Sequence, residues 1–132
     1  MAVVDASVWV AWLSKKDAHH EKAVNLLREC EEAGEILSSP SLVLPEVLGA
    51  LSRRSATSSF LDEVLALFSG ASPVLHEVTR ELALEAARLA GAFKLRGCDA
   101  VYVALAKSQG ERLLTFDAEQ GERGLAALQG SP

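Results

Sequence analysis

The chain has 132 residues, 49% of them apolar and 5% aromatic, enough for one domain over 1–132 with a sizeable core and too apolar for bulk disorder. Eighteen acidic residues outweigh 13 basic ones, a net charge of −5, which excludes a protein that lives on duplex binding through a broad basic face. Cys30 and Cys98 stand in neither a CxxC nor a Cys/His spacing, so a disulfide framework and a zinc site are excluded and both are expected to be buried small hydrophobes.

Ala2-Val3-Val4 predicts a buried strand that stops at Asp5, and Ser7 to Leu13 a short apolar helix carrying Trp9 and Trp12. Asp5 interrupts the opening run too early for a signal peptide, and no stretch reaches the ~20 apolar residues of a membrane span, so the cytoplasm is the expected compartment. From His20 to Glu32, Ala23, Leu26, Leu27 and Cys30 repeat at helical spacing, with Gly34 as the stop. Glu35 to Ser38 is a candidate strand. Leu44, Val47, Leu48 and Leu51 predict a helix with Pro45 in its first turn, and Leu61, Val64, Leu65 and Phe68 another. Pro73 to Val78 reads as a strand or an extended connection.

Thr79 is a candidate N-cap for a long helix broken at Gly97. Asp99 to Ser108 reads as a helix apolar on nearly every side, hence deeply buried. Gly110 ends it, Arg112 to Phe116 predicts a strand that stops at Asp117, and Leu125 and Leu128 fit either a last helix or an edge strand. Strands separated by helices of this length imply parallel crossovers and an α/β layered fold, with helices on both faces making a three-layer α/β/α sandwich around four to five short strands.

Four acids share one position in this pattern. Asp5 and Asp117 follow strands, while Glu46 and Asp99 sit in first turns of helices. In a parallel sheet, strand carboxyl ends and the helix N-termini that follow lie on one edge, where such folds build their sites. Capping and the helix dipole account for any one of these acids, but not for the set. Two unit charges about 5 Å apart repel by roughly 3 kcal/mol at an effective dielectric near 20, against ~0.3–1 kcal/mol returned per acid by a helix end. Either some acids protonate or a cation sits among them. All-oxygen ligands select a hard ion, Mg²⁺ or Mn²⁺, and that chemistry points to metal-assisted phosphodiester hydrolysis. Ser7 and Thr115 lie two residues from Asp5 and Asp117, so their hydroxyls are expected to support a carboxylate or a metal-bound water.

The ordered set Val3-Val4-Asp5-Ala6-Ser7, Pro45-Glu46-Val47, Cys98-Asp99-Ala100-x-x-x-Ala104 and Leu114-Thr115-Phe116-Asp117 resembles the PIN domain, and within it the VapC-type toxin ribonucleases, over essentially the whole chain. The resemblance implies an α/β/α fold with a parallel sheet and a divalent-metal site built from Asp5, Glu46, Asp99 and Asp117. It also implies a Mg²⁺- or Mn²⁺-dependent endoribonuclease, a homodimer, and an antitoxin whose basic C-terminal segment covers the site. The family closes with a short strand, whereas Glu119 to Pro132 carries no β run.

Basic residues are few, so RNA must be held by particular ones. Arg96, close to Asp99, is the first candidate, ahead of Lys15, Lys16, Arg53, Arg54 and Lys94. His19, His20 and His76 have no metal-ligand spacing and are expected at the surface. The competing reading is a catalytically silent module of the same fold whose acidic pocket receives a basic peptide. A phosphotransfer domain is disfavoured because Asp5-Ala6-Ser7 lacks a second Asp two positions on and the chain has no glycine-rich phosphate loop.

Overall fold

Four short parallel strands carry the architecture of the computed structural model, which describes residues 1–130. These are β1 (Ala2–Val4), β2 (Leu37–Pro40), β3 (Val74–His76) and β4 (Arg112–Leu114), in the sheet order β3-β2-β1-β4. β1 is central, pairing Ala2 with Leu37 on one side and Val3 with Leu113 on the other. Its three residues are fully buried, which is why a run of only Ala-Val-Val suffices as a strand.

The connections set the layers. α1 (Ala6–Leu13) and α2 (His20–Glu32) lead from β1 to β2, and α3 (Val43–Arg53) with α4 (Ser58–Phe68) from β2 to β3. The chain then returns past β1 through α5 (Arg80–Phe93) and α6 (Gly97–Gln109) to reach β4, and closes with α7 (Ala118–Gln129). Right-handed crossovers that reverse direction put α1–α4 on one face and α5–α7 on the other, the three-layer α/β/α sandwich expected. Contacts within α1–α4 and within α5–α7 agree with this division. Packing divides the same way: Val8, Trp9, Val47, Val64 and Phe68 join β1 in one cluster, while Ala86, Leu89, Val103 and Ala127 form a second.

Several boundaries differ from the sequence expectations. β2 lies two residues later than Glu35–Ser38, because Ile36 is exposed and Ser38, Ser39 and Pro40 are the buried ones. Ser39 is accommodated by two hydrogen bonds: its Oγ accepts from Trp9 Nε1 at 3.1 Å and donates to the Val4 carbonyl at 2.6 Å. The break between α5 and α6 falls at Lys94, which adopts a left-handed conformation with φ 56°, and Gly97 begins α6 instead of ending α5. β4 stops at Leu114, before Thr115 and Phe116. The tail is helical. Gly121 and Gly124 weaken its helical signal, but a Cβ on Gly124 would stand 3.1 Å from Val103 Cγ2, so that glycine allows α7 to lie close against α6. Ser131 and Pro132, the end of the tail considered in sequence, lie outside the described residues. Cys30 is buried as expected, but Cys98 is exposed in the first turn of α6. His19 is exposed, whereas His20 and His76 are half-buried, His20 Nδ1 lying 2.8 Å from the Ala11 carbonyl.

Candidate active site

The sheet order reverses at β1, since the chain leaves it toward β2 and later returns to its other side at β4. A crevice opens at the carboxyl ends of two strands whose connections part in this way. Asp5 follows β1 and Thr115 to Asp117 follow β4, so both segments border that crevice. Asp5, Glu46, Asp99 and Asp117 all line one cleft of about 410 Å³ there, together with Ser7, Val10, His19, Arg53, Arg54 and Phe116.

Capping places two of the acids. Asp5 is the N-cap of α1, its Oδ2 accepting from the Ser7 backbone N–H at 3.0 Å. Asp117 is the N-cap of α7, its Oδ1 accepting from the Gln120 N–H at 2.8 Å. Capping and site geometry are therefore not alternatives: one oxygen anchors the helix while the carboxylate as a whole borders the cleft. Glu46, in the first turn of α3, is held across the crevice by the Tyr102 hydroxyl, which donates to its Oε1 at 2.6 Å. Tyr102 is fully buried on α6, so this bond joins the two helical layers. Asp99 stands in the first turn of α6, where Arg96 Nε approaches its Oδ2 at 3.5 Å.

The hydroxyls knit these segments together. Ser7 Oγ accepts from the Phe116 N–H at 3.0 Å and lies 3.4 Å from Thr115 Oγ1. The Thr115 hydroxyl has one proton and two acceptors, Gln120 Oε1 at 2.9 Å and Asp5 Oδ2 at 3.3 Å, and it accepts from the Asp117 N–H at 3.1 Å. Gln120, like Tyr102, is a residue the sequence reading missed. It is 1% exposed, and its amide also reaches the Asp99 carbonyl at 3.4 Å, so one side chain ties the Asp5–Thr115 pair to the start of α6. No local signal marks it, because its role depends on α7 existing.

Charge crowding is visible in the titration of the acids. Asp99 is pushed up to about 6, first by burial and then by the charge of Asp5, with Arg96 opposing and Asp117 and Glu46 adding. Burial also raises Glu46; the Tyr102 hydrogen bond works against that shift and Asp5 adds to it. The Tyr102 phenol is raised by burial and by its bond to Glu46, so it stays a neutral donor. Arg96 spans the acids from the rim, its Nη2 lying 3.4 Å from Asp117 Oδ2 and 3.6 Å from Glu119 Oε2.

The acids border the cleft without closing on one point. Among the described residues, no three His, Cys, Asp or Glu side chains stand together as a ready-made metal cage, a spacing that mutual repulsion favours. The donor set still fits a hard dication: it is oxygen-only, negative, partly buried, and crowded enough to raise the proton affinity of Asp99.

A three-layer fold with an acid-lined crevice at the switch point of its sheet thus describes the molecule. The chain belongs to the PIN domain family, whose match spans residues 2–124. It is similar in fold to VapC20 of Mycobacterium tuberculosis, a Sarcin-Ricin loop cleaving toxin, with a TM-score of 0.80 and 22% identity over 94% of this chain and 95% of that one. FitAcB from Neisseria gonorrhoeae is similar at a TM-score of 0.68 and 14% identity, covering 94% and 93% of the two chains. VapBC2 from Rickettsia felis, bound to a DNA fragment from their promoter, follows at 0.66 and 15%, covering 92% and 91%. No curated protein matches the chain in sequence. Among the described residues, no helix is long and apolar enough to cross a membrane.

Proposed function

We propose that the chain is a divalent-metal-dependent endoribonuclease, the toxin of a toxin–antitoxin pair, acting as one cytoplasmic domain through Asp5, Glu46, Asp99 and Asp117. The observation that carries this reading is the meeting of four carboxylates, from four separate elements, around one crevice where Asp99 is pushed up to about 6. PIN family membership and the similarity to a Sarcin-Ricin loop cleaving toxin support it.

Asp5, Asp99, Glu46 and Asp117 would hold Mg²⁺ or Mn²⁺. Bound there, the ion would supply a polarised phosphodiester and a water acidified toward hydroxide. The rest of the chemistry belongs to the chain's own side chains. The Ser7 N–H and the Thr115 hydroxyl fix the Asp5 carboxylate, so it needs no reorganisation when substrate arrives. Tyr102 keeps Glu46 aimed across the crevice. Asp99, pushed up to about 6 by burial and by the neighbouring acids, would be held as the carboxylate once a dication is bound beside it. Arg96, exposed beside Asp99 and Asp117, is assigned to a substrate phosphate.

The proposed partners are RNA, a second copy of the chain, and an antitoxin with a basic C-terminal segment complementary to the acidic cleft. Arg53 and Arg54 on the cleft wall weigh against a module devoted only to a basic peptide. The test is cleavage of RNA in Mg²⁺ or Mn²⁺ by wild type and by Asp99→Asn. Loss of a hundredfold or more is expected, in line with the roughly 10²–10³ typical of removing one transition-state contact. Equal activity would remove Asp99 from the site, and no cleavage by wild type would overturn the reading.

A further inference from the structure

The part of the cleft rim around Phe116 has a chemistry of its own. Phe116 immediately precedes Asp117 and is half-buried, its backbone held by the Ser7 hydroxyl at 3.0 Å. The exposed His19 ring packs on it with a centroid separation of 5.3 Å and an interplanar angle of 41°. The Lys22 ammonium stands over the same phenyl ring, 5.2 Å from its centroid. Both rings border the cleft that holds the acids. His19 is positioned through its backbone, its N–H donating to Asp17 Oδ1 at 2.8 Å, and Asp17 in turn pairs with Arg54 at 2.6 Å.

The cations near the cleft differ in how they are engaged. Arg96 is engaged by Asp99, Asp117 and Glu119. By contrast, neither Lys22, over the Phe116 ring, nor Arg53, on the cleft wall, forms an ion pair among the described residues. A core has no use for an exposed imidazole tilted against a half-buried phenyl under an ammonium, and a purely acidic cleft for a basic peptide has no use for cations beside it. An exposed imidazole braced by a phenyl ring, with an ammonium beside it, suits a nucleobase with its phosphate. A paired base within a duplex has both faces covered by its neighbours and cannot present one.

We propose that His19 and Phe116, with Lys22 beside them, form a subsite that holds one unpaired nucleobase of the RNA beside the acidic cleft. This rests on the ribonuclease reading, and the test separates the two. The binding of a short fluorescein-labelled single-stranded RNA would be measured in Ca²⁺, together with a series in which one nucleotide at a time is abasic. Wild type is expected to lose about tenfold in affinity at one position of the series. His19→Ala, an exposed site, and Phe116→Leu, which keeps apolar bulk, should each bind the intact RNA about tenfold more weakly and lose nothing further at that position. Variants that bind like wild type, or that retain the wild-type step in the abasic series, would overturn the subsite, as would wild type binding the fully paired duplex as tightly as the single strand. Cleavage of the same RNA by wild type in Mg²⁺ or Mn²⁺ reads the other question. Cleavage without an abasic step removes the subsite alone, while an abasic step without cleavage removes the nuclease reading and leaves the subsite standing.

Discussion

The two ends of the sheet are built on opposite principles. At the strands' carboxyl edge, Asp5, Glu46, Asp99 and Asp117 crowd a polar cleft, and hydrogen bonds from Ser7, Thr115, Tyr102 and Gln120 hold them in place. Toward the amino edge lies a cleft of about 560 Å³ bordered by Trp9, Trp12, Leu27, Leu37, Leu67 and Pro73, where apolar contact dominates. Trp9 is 4% exposed and meets the rings of Trp12 and Phe68 edge-on at 5.8 and 5.4 Å. Trp9 is thus core, with Trp12 half-buried beside it. The amino end contributes stability and the carboxyl end consumes some of it, as electrostatic repulsion at a site generally does. Removing apolar contact at the amino end should therefore cost stability, whereas neutralising one of the crowded acids at the carboxyl end should add to it.

The largest stability effect should come from Trp9→Ala, which removes two edge-on ring contacts and the indole N–H donated to Ser39. A loss of about 3–5 kcal/mol is expected in urea denaturation, and a loss under 1 kcal/mol would mean that the apolar end is not the main source of stability. Asp99→Asn should do the reverse. Because folding raises the affinity of Asp99 for its proton, the folded state is favoured at low pH. That advantage is lost as pH rises from the ordinary carboxylate range through about 6. Without divalent ions, and with solvent screening of this partly exposed group reducing the effect, the variant should thus exceed wild type by about 1–2 kcal/mol at pH 7 to 8, the two converging below about pH 4. A gap that persists at low pH would show that the gain is not electrostatic.

Smaller effects sharpen the same contrast. Gln120→Met keeps the buried volume but removes the links to Thr115 and to the Asp99 carbonyl. A loss of about 1–3 kcal/mol is expected from the polar atoms it strands, together with a higher Mn²⁺ concentration for half-maximal RNA cleavage. An unchanged metal requirement would make Gln120 a packing residue only. Thr115→Val should cost about 1 kcal/mol and change the metal requirement in the same direction but less, because the Ser7 N–H still holds Asp5.

Legibility in the sequence followed local signal strength. β1 was readable because Ala-Val-Val has no exposed face to disguise, and α2 because its apolar residues keep helical spacing over 13 residues. The four acids were readable as candidates because each sits next to a strand end or a helix start, positions that parallel α/β topology gathers on one edge. β2 was displaced because Ser-Ser-Pro carries a turn signal in isolation, and only Trp9 and Val4, distant in sequence, make Ser39 acceptable in a strand. α7 was ambiguous because Gly124 reads as a helix breaker until Val103 is seen lying against it.

By itself, then, the sequence determined the alternation of elements, the parallel sheet, and which carboxylates had reason to meet, since each depends on patterns within a few residues of one another. Only the tertiary structure decided that one oxygen of a capping aspartate leaves its carboxylate free to face a cleft, that Tyr102 and Gln120 brace the acids, and that His19 and Lys22 gather on Phe116. Those relations join residues far apart in the chain, and no local propensity encodes a contact whose two halves are brought together by packing.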